Sequence, residues 1–202
     1  MNNLPRVSAV LDTLDWGYGD IPPFILKRAA KYGTGFHGLM EKKTTGKKSR
    51  VTKQYKVRYE ALEDWFKQRN YKVKEAEIRL TFIEGPPSPG GLNNRRTNKY
   101  DISHTVTTGK GYQGTCDAIL EDKNGGLILI DYKTGRVSKR HFLQSAAYKM
   151  AYEQQTGLSI AKIIIVKPTK EGLVEEYDLD KPVEHYEKVF LRLLDKYYNT
   201  NA

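Results

Sequence analysis

An acid and a lysine two positions apart, Asp131 and Lys133, close an apolar run that begins at Leu127. In an extended strand successive side chains alternate faces. Asp131 and Lys133 therefore share the face of Leu127 and Leu129, with Ile128, Ile130 and Tyr132 opposite. A strand apolar on both faces belongs in the middle of a sheet. Charges at its end are costly unless they are paired or bind a metal, although the same residues also suit a strand running out into solvent toward Thr134 and Gly135. A second acid weighs against that plainer reading. Asp122 to Gly126 is a hairpin turn sequence. A loop centred on Asn124 sets Asp117 opposite Asp131, and a two-residue Asn-Gly turn displaces the pairing by one. In either register two carboxylates and a lysine converge at one end of a hairpin. Opposed carboxylates with Cβ atoms about 4.5–5.5 Å apart repel, and a hard divalent cation such as Mg²⁺ is their simplest partner. Such an ion lowers the pKa of a bound water and polarises a phosphoryl oxygen. Lys133 would orient or deprotonate that water and screen charge on the phosphate.

The elements that must hold these residues follow from pattern. Val7 to Leu14 reads as a short helix, broken off by Gly17, Gly19 and Pro22-Pro23. Phe24 to Tyr32 is helical, Gly33-Thr34-Gly35 interrupts it, and Phe36 to Glu41 opens another helical stretch with His37 near its beginning. Tyr59 to Phe66 is an amphipathic helix ended by Asn70. Val73 to Phe82 alternates as a strand, with Glu75, Glu77 and Arg79 on one side and Ala76, Ile78 and Leu80 on the other. Glu84 to Lys99 is rich in Pro, Gly and Asn and reads as a loop insertion. Gly114 to Glu121 is a second strand and the Leu127 run a third. Ser138 caps a helix from Lys139 to about Gln155, closed by Gly157. Ala161 to Val166 is a further strand, Val174 to Tyr177 a short extra one, and Pro182 to Tyr198 a packing helix. The 202 residues read as one domain with its core over about 24–168.

Composition narrows the class. An apolar fraction of 39% and a charged fraction of 29% describe a soluble globular chain, with no run near the ~20 apolar residues a membrane span needs. One cysteine, Cys116, excludes an internal disulfide framework, a cysteine zinc site and a four-cysteine iron–sulfur cluster, and suits a reducing, cytoplasmic setting. A net charge of +10 calls for an anionic partner, nucleic acid first and an acidic membrane surface second. The segment 42–58 holds Lys42, Lys43, Lys47, Lys48, Arg50, Lys53, Lys56 and Arg58 and no acid. A merely solvated face usually mixes signs, so this one is expected to contact phosphates.

Gly114-Thr-Cys-Asp117 followed by Ile130-Asp131-Tyr132-Lys133-Thr-Gly resembles the PD-(D/E)XK nuclease superfamily. Gly33-Thr-Gly-Phe-His37 and Gln144-Ser-Ala-Ala-Tyr148 are similar to two motifs of its RecB-like and Cas4-like exonuclease branch. The resemblance implies an α/β fold, an αβββαβ core with a central mixed sheet flanked by helices. It implies Mg²⁺ or Mn²⁺ held by His37, Asp117, Asp131 and the Tyr132 backbone carbonyl, with Glu77 a further acid. Asp117, Asp131, Lys133, Gln144 and Tyr148 become the catalytic set. The chain departs from the relatives that carry an iron–sulfur cluster, because Cys116 alone cannot ligate one. It also lacks a phosphate-binding GxxxxGK[ST] loop, hence a helicase segment. The implied activity is exonucleolytic cleavage of DNA, single-stranded or at ends, in repair, recombination or phage DNA processing, in the host cytoplasm if phage-encoded. Arg95 and Arg96 in the 84–99 loop join the lysines of the basic segment as DNA contacts. The alternatives are a structure-specific endonuclease of the same superfamily and a non-catalytic nucleic-acid-binding module.

Overall fold

The computed structural model describes residues 4–16, 21–85 and 109–201. A five-stranded mixed sheet runs in chain order: β1 Lys72–Ile83, β2 Gly111–Glu121, β3 Leu127–Tyr132, β4 Ile160–Pro168 and β5 Val174–Tyr177. All neighbours are antiparallel except β3 and β4, which are parallel. Helix α4, Lys139–Thr156, makes the crossover between them, the connection that parallel strands require. This is the α/β architecture expected of the sequence.

Helices α1 (Val7–Leu11), α4 and α5 (Val183–Thr200) cover one face of the sheet, and α2 (Pro23–Thr44) and α3 (Lys56–Arg69) the other. Leu127 and Leu129 pack on the first face, Ile128, Ile130 and Tyr132 on the second. Every residue of β3 is buried, as its two apolar faces require. The hairpin register is the one centred on Asn124: Leu120 pairs with Ile128 and Ala118 with Ile130. The Asp122 carboxylate holds the turn by accepting hydrogen bonds from the amides of Asn124 and Gly126, both at 2.8 Å. At the start of α4 the Ser138 amide donates to Nδ1 of His141 at 3.0 Å, and Gly157 ends the helix at φ 69°.

One element departs from expectation. Gly33-Thr34-Gly35 does not break the chain, and α2 runs unbroken for 22 residues. Glycine in a helix interior costs up to about 1 kcal/mol against alanine. Here packing offsets that cost, because Phe36, Leu39 and Met40 on the following turn are buried. A Cβ at residue 35 would collide with the Tyr55 hydroxyl, so the glycine lets that ring lie against the helix. His37 consequently sits deep in a helix rather than near its start. Arg95, Arg96 and most of the expected 84–99 insertion lie outside the described residues.

Candidate active site

The site forms where β2 leaves β3. Their ladder ends at Ala118 and Ile130, one residue short of Asp117 and Asp131. Past that point the Asp117 carboxylate replaces the missing strand partner: Oδ2 accepts the Tyr132 N–H at 2.7 Å. Its Oδ1 lies 3.1 Å from Nδ1 of His37, which donates because a carboxylate only accepts. In the neutral ring that tautomer leaves a lone pair on Nε2.

Glu77 sits across from Asp117 on β1, between the pairs Ala76–Ala118 and Ile78–Cys116. Strand alternation reverses on both strands at this step. Cys116 and Ile78 pack toward α4, whereas Ala118 and Ala76 pack toward α2 and α3. Glu77 takes φ +50°, a left-handed conformation costing a non-glycine residue about 1–2 kcal/mol. The reversal turns Glu77 toward α2. There it faces an open cleft of about 520 Å³ whose other wall carries Gly33, Thr34, His37, Gly38 and Glu41. These α2 residues recur at helical spacing and form one stripe.

Asp131 and Lys133 lie on the opposite, α4 side of β3. Asp131 is 2% exposed. Its Oδ1 accepts from Lys133 Nζ at 2.8 Å, and Oδ2 is 2.6 Å from the same ammonium. Oδ2 has no hydrogen bond of proper geometry, so that contact is an ion pair with a lone pair to spare. Gln144 Nε2 donates to the Tyr148 hydroxyl at 2.8 Å one turn along α4. The Tyr148 ring packs on Gly114, where a Cβ would come within 2.6 Å of it.

The charges are strongly interdependent. Burial disfavours the His37 imidazolium, but the Asp117 carboxylate outweighs it and leaves the pKa above the ordinary 6.5. Burial likewise opposes ionisation of Asp117. His37, Lys133 and the Tyr132 amide prevail and hold its carboxyl below the usual range. Burial and then the charge of Asp117 raise Asp131 despite Lys133. Glu77 is pushed up to about 7 by burial, then by Asp117 and Glu41. His141 is lowered to about 4 by burial, Lys133 and Arg140, and is neutral near pH 7.

These donors suit a hard divalent ion. Carboxylate oxygens and one imidazole are the right chemistry for Mg²⁺ or Mn²⁺. The repulsion on Glu77 and the spare lone pair of Asp131 are both relieved by a cation. Among the described residues, however, no three His, Cys, Asp or Glu side chains form a ready-made cage. Asp131 pairs with Lys133 on the α4 side of the sheet, whereas His37 meets Asp117 on the α2 side.

Of the expected phosphate contacts, Lys42, Lys47, Lys48, Arg50 and Lys53 are exposed. Lys43 is engaged with Glu63 at 2.5 Å and lies 5.1 Å over the Tyr59 ring. Arg58 donates to the Pro168 carbonyl at 3.0 Å and to the Tyr32 hydroxyl at 2.7 Å, bracing α3 against β4 and α2. Sequence reasoning passed over Glu41. Its signal was the four-residue step from His37, which puts both on one helix face.

A family model described as the PD-(D/E)XK nuclease superfamily matches residues 14–201. No curated protein matches the chain. A solved structure titled "Crystal structure of SSO0001" aligns over 100% of this chain and 78% of its own, at 18% identity and a TM-score of 0.48. Among the described residues no helix is long and apolar enough to cross a membrane.

Proposed function

The chain belongs to the PD-(D/E)XK nuclease superfamily, and from that membership we propose that it is a metal-dependent DNA exonuclease acting on single strands or DNA ends. The observation that carries the reading is the meeting of His37 with Asp117 where β2 leaves β3, with the Asp131–Lys133 pair on the α4 side of the same strand end. Nucleases of this superfamily use divalent ions such as Mg²⁺ or Mn²⁺. In the proposed site Asp117, Asp131, His37 and the Tyr132 carbonyl hold the ion, with Glu77 as a further ligand. When bound, the ion lowers the pKa of a water and polarises the phosphoryl oxygen.

The chain's own groups do the rest. Lys133, fixed by Asp131, holds the attacking water by hydrogen bond and offsets negative charge growing on the phosphate. Asp117, fixed by the Tyr132 amide and His37, keeps its carboxylate ionised at the end of β2. The Gln144–Tyr148 pair holds the α4 side of the site in register. Exonuclease action, and with it a role in repair, recombination or phage DNA processing, is supported by the likeness of Gly33–His37 and Gln144–Tyr148 to the RecB-like and Cas4-like branch.

Lys133→Ala is expected to lower cleavage of end-labelled oligonucleotides by about 10²–10⁴-fold while nucleic-acid binding survives. Wild type with Mg²⁺ should degrade linear DNA and leave covalently closed circles intact. Nicked or linearised circles would turn the assignment to an endonuclease. Absence of cleavage of any DNA or RNA with either ion, or full activity in Lys133→Ala, would defeat the enzymatic reading and leave a binding module.

A further inference from the structure

The first half of α2 is not packed into the core of the described residues. Every residue from Ile21 to Lys31 is exposed, Phe24 by 72%. An aromatic side chain this exposed on a regular helix buries little on folding, so its apolar surface is available for contact. Phe24, Lys27 and Lys31 follow one another at three- and four-residue steps. The same steps lead on to Thr34 and Gly38 in the cleft wall. At 1.5 Å per residue this stripe is about 20 Å long. It ends between His37 and Glu41. No acid occurs from Ile21 to Met40, and among the described residues Lys27, Arg28 and Lys31 have no ion-pair partner.

We propose that this stripe is a docking track for a single strand of nucleic acid. Phe24 stacks an unpaired base, and Lys27 and Lys31 hold phosphates on the path to the cleft. The inference rests on the nuclease reading for its direction and deepens it, by choosing the single strand over the duplex and naming the side chains that take it. Charge selects the occupant: lysines interleaved with an aromatic fit a phosphate backbone carrying exposed bases. A second copy of the chain would set these cations against their own kind. Strand state follows from Phe24, because a base inside a duplex is already stacked on its neighbours and offers the ring no face.

The test is fluorescence anisotropy with a labelled oligothymidylate and a duplex of equal length, in EDTA so that nothing is cut. Phe24→Ala should weaken single-strand binding about five-fold or more and leave the duplex unchanged. Lys27→Ala with Lys31→Ala should reduce the salt dependence of single-strand binding by about 0.7 per lysine. All three side chains are exposed, so circular dichroism should report intact folding. Unchanged affinities, or equal losses on duplex, overturn the track. So does a wild-type dimer in light scattering that Phe24→Ala dissolves, which makes the stripe a contact between copies. Wild-type cleavage is assayed in parallel to separate the two readings. A cutting enzyme whose stripe variants bind normally refutes the track alone. A protein that cuts nothing, yet loses single-strand binding in these variants, refutes the enzymatic reading alone.

Discussion

At Glu77 the chain accepts two unfavourable terms together, a left-handed backbone and a carboxyl pushed up to about 7. Such strain persists where neighbours over-determine it, and clusters at functional sites. The pKa has a consequence for stability. In the unfolded chain a glutamate ionises near 4.5, so between pH 4.5 and about 7 the folded state retains a proton that the unfolded state has released. Folding stability therefore falls as pH rises through that window. His37 acts in the same direction: its raised pKa stabilises the fold below 6.5, and that contribution fades as pH rises through the folded value. The metal-free melting temperature should drop from pH 5 to pH 8. Glu77→Gln should remove the part lost below pH 7, and saturating Mg²⁺ should flatten what remains. Scanning calorimetry checks it, and an unaltered profile in Glu77→Gln would show that the carboxyl is not held as described. The sequence marked Glu77 as an acid on a strand, but alternation grouped it with Glu75. The structure separates them, for Glu75 accepts from the Tyr152 hydroxyl on α4 at 2.8 Å. A period-two argument carries no trace of a left-handed residue that reverses the phase.

Among the elements, the hairpin was legible because its turn depends on local chemistry, although the sequence left two registers open and the structure takes the one centred on Asn124. Asp122 and Gly125 specify the turn, and the turn geometry fixes the register of β3 against β2. That is enough to bring Asp117 up to Asp131. Helix α2 was not legible, because its continuity is decided by distant contacts: the buried Phe36 and Met40, and Tyr55 against Gly35. Gly38 differs from Gly35, for a Cβ added there would meet nothing within 4 Å. Gly38→Ala should thus stabilise by about 0.5–1 kcal/mol through helix propensity alone, a rise of roughly 1–4 °C in melting temperature. Gly35→Ala has the same propensity gain and must also displace Tyr55, so it should gain less or lose. Thermal melts of the two variants provide the comparison. Equal stabilisation would mean that Tyr55 does not hold α2 where its glycines would otherwise loosen it.

Over the whole molecule, a net charge of +10 is distributed unevenly. The sequence suggested a single phosphate-contacting segment over 42–58, and the structure divides its cations by what they already touch. Lys43 and Arg58 are engaged in holding α2, α3 and β4 together. Lys47, Lys48, Arg50 and Lys53 remain exposed on the connection between α2 and α3, beyond the end of the helix whose middle carries His37. A cation already paired gains little from a phosphate, because binding must first break its existing contact. Neutralising these four residues of the connection to alanine should therefore weaken nucleic-acid binding to all sequences alike. The slope of log affinity against log salt should shrink by about 0.7–0.9 for each phosphate no longer neutralised, with the melting temperature unchanged. Lys43→Ala should do the reverse, lowering stability by up to about 1 kcal/mol with a smaller change in slope. Salt titrations of binding beside thermal melts separate the two groups. If Lys43→Ala flattens the slope as much as removing an exposed lysine, its pairing with Glu63 does not outlast the approach of a phosphate, and the basic surface extends back onto α2 toward the cleft.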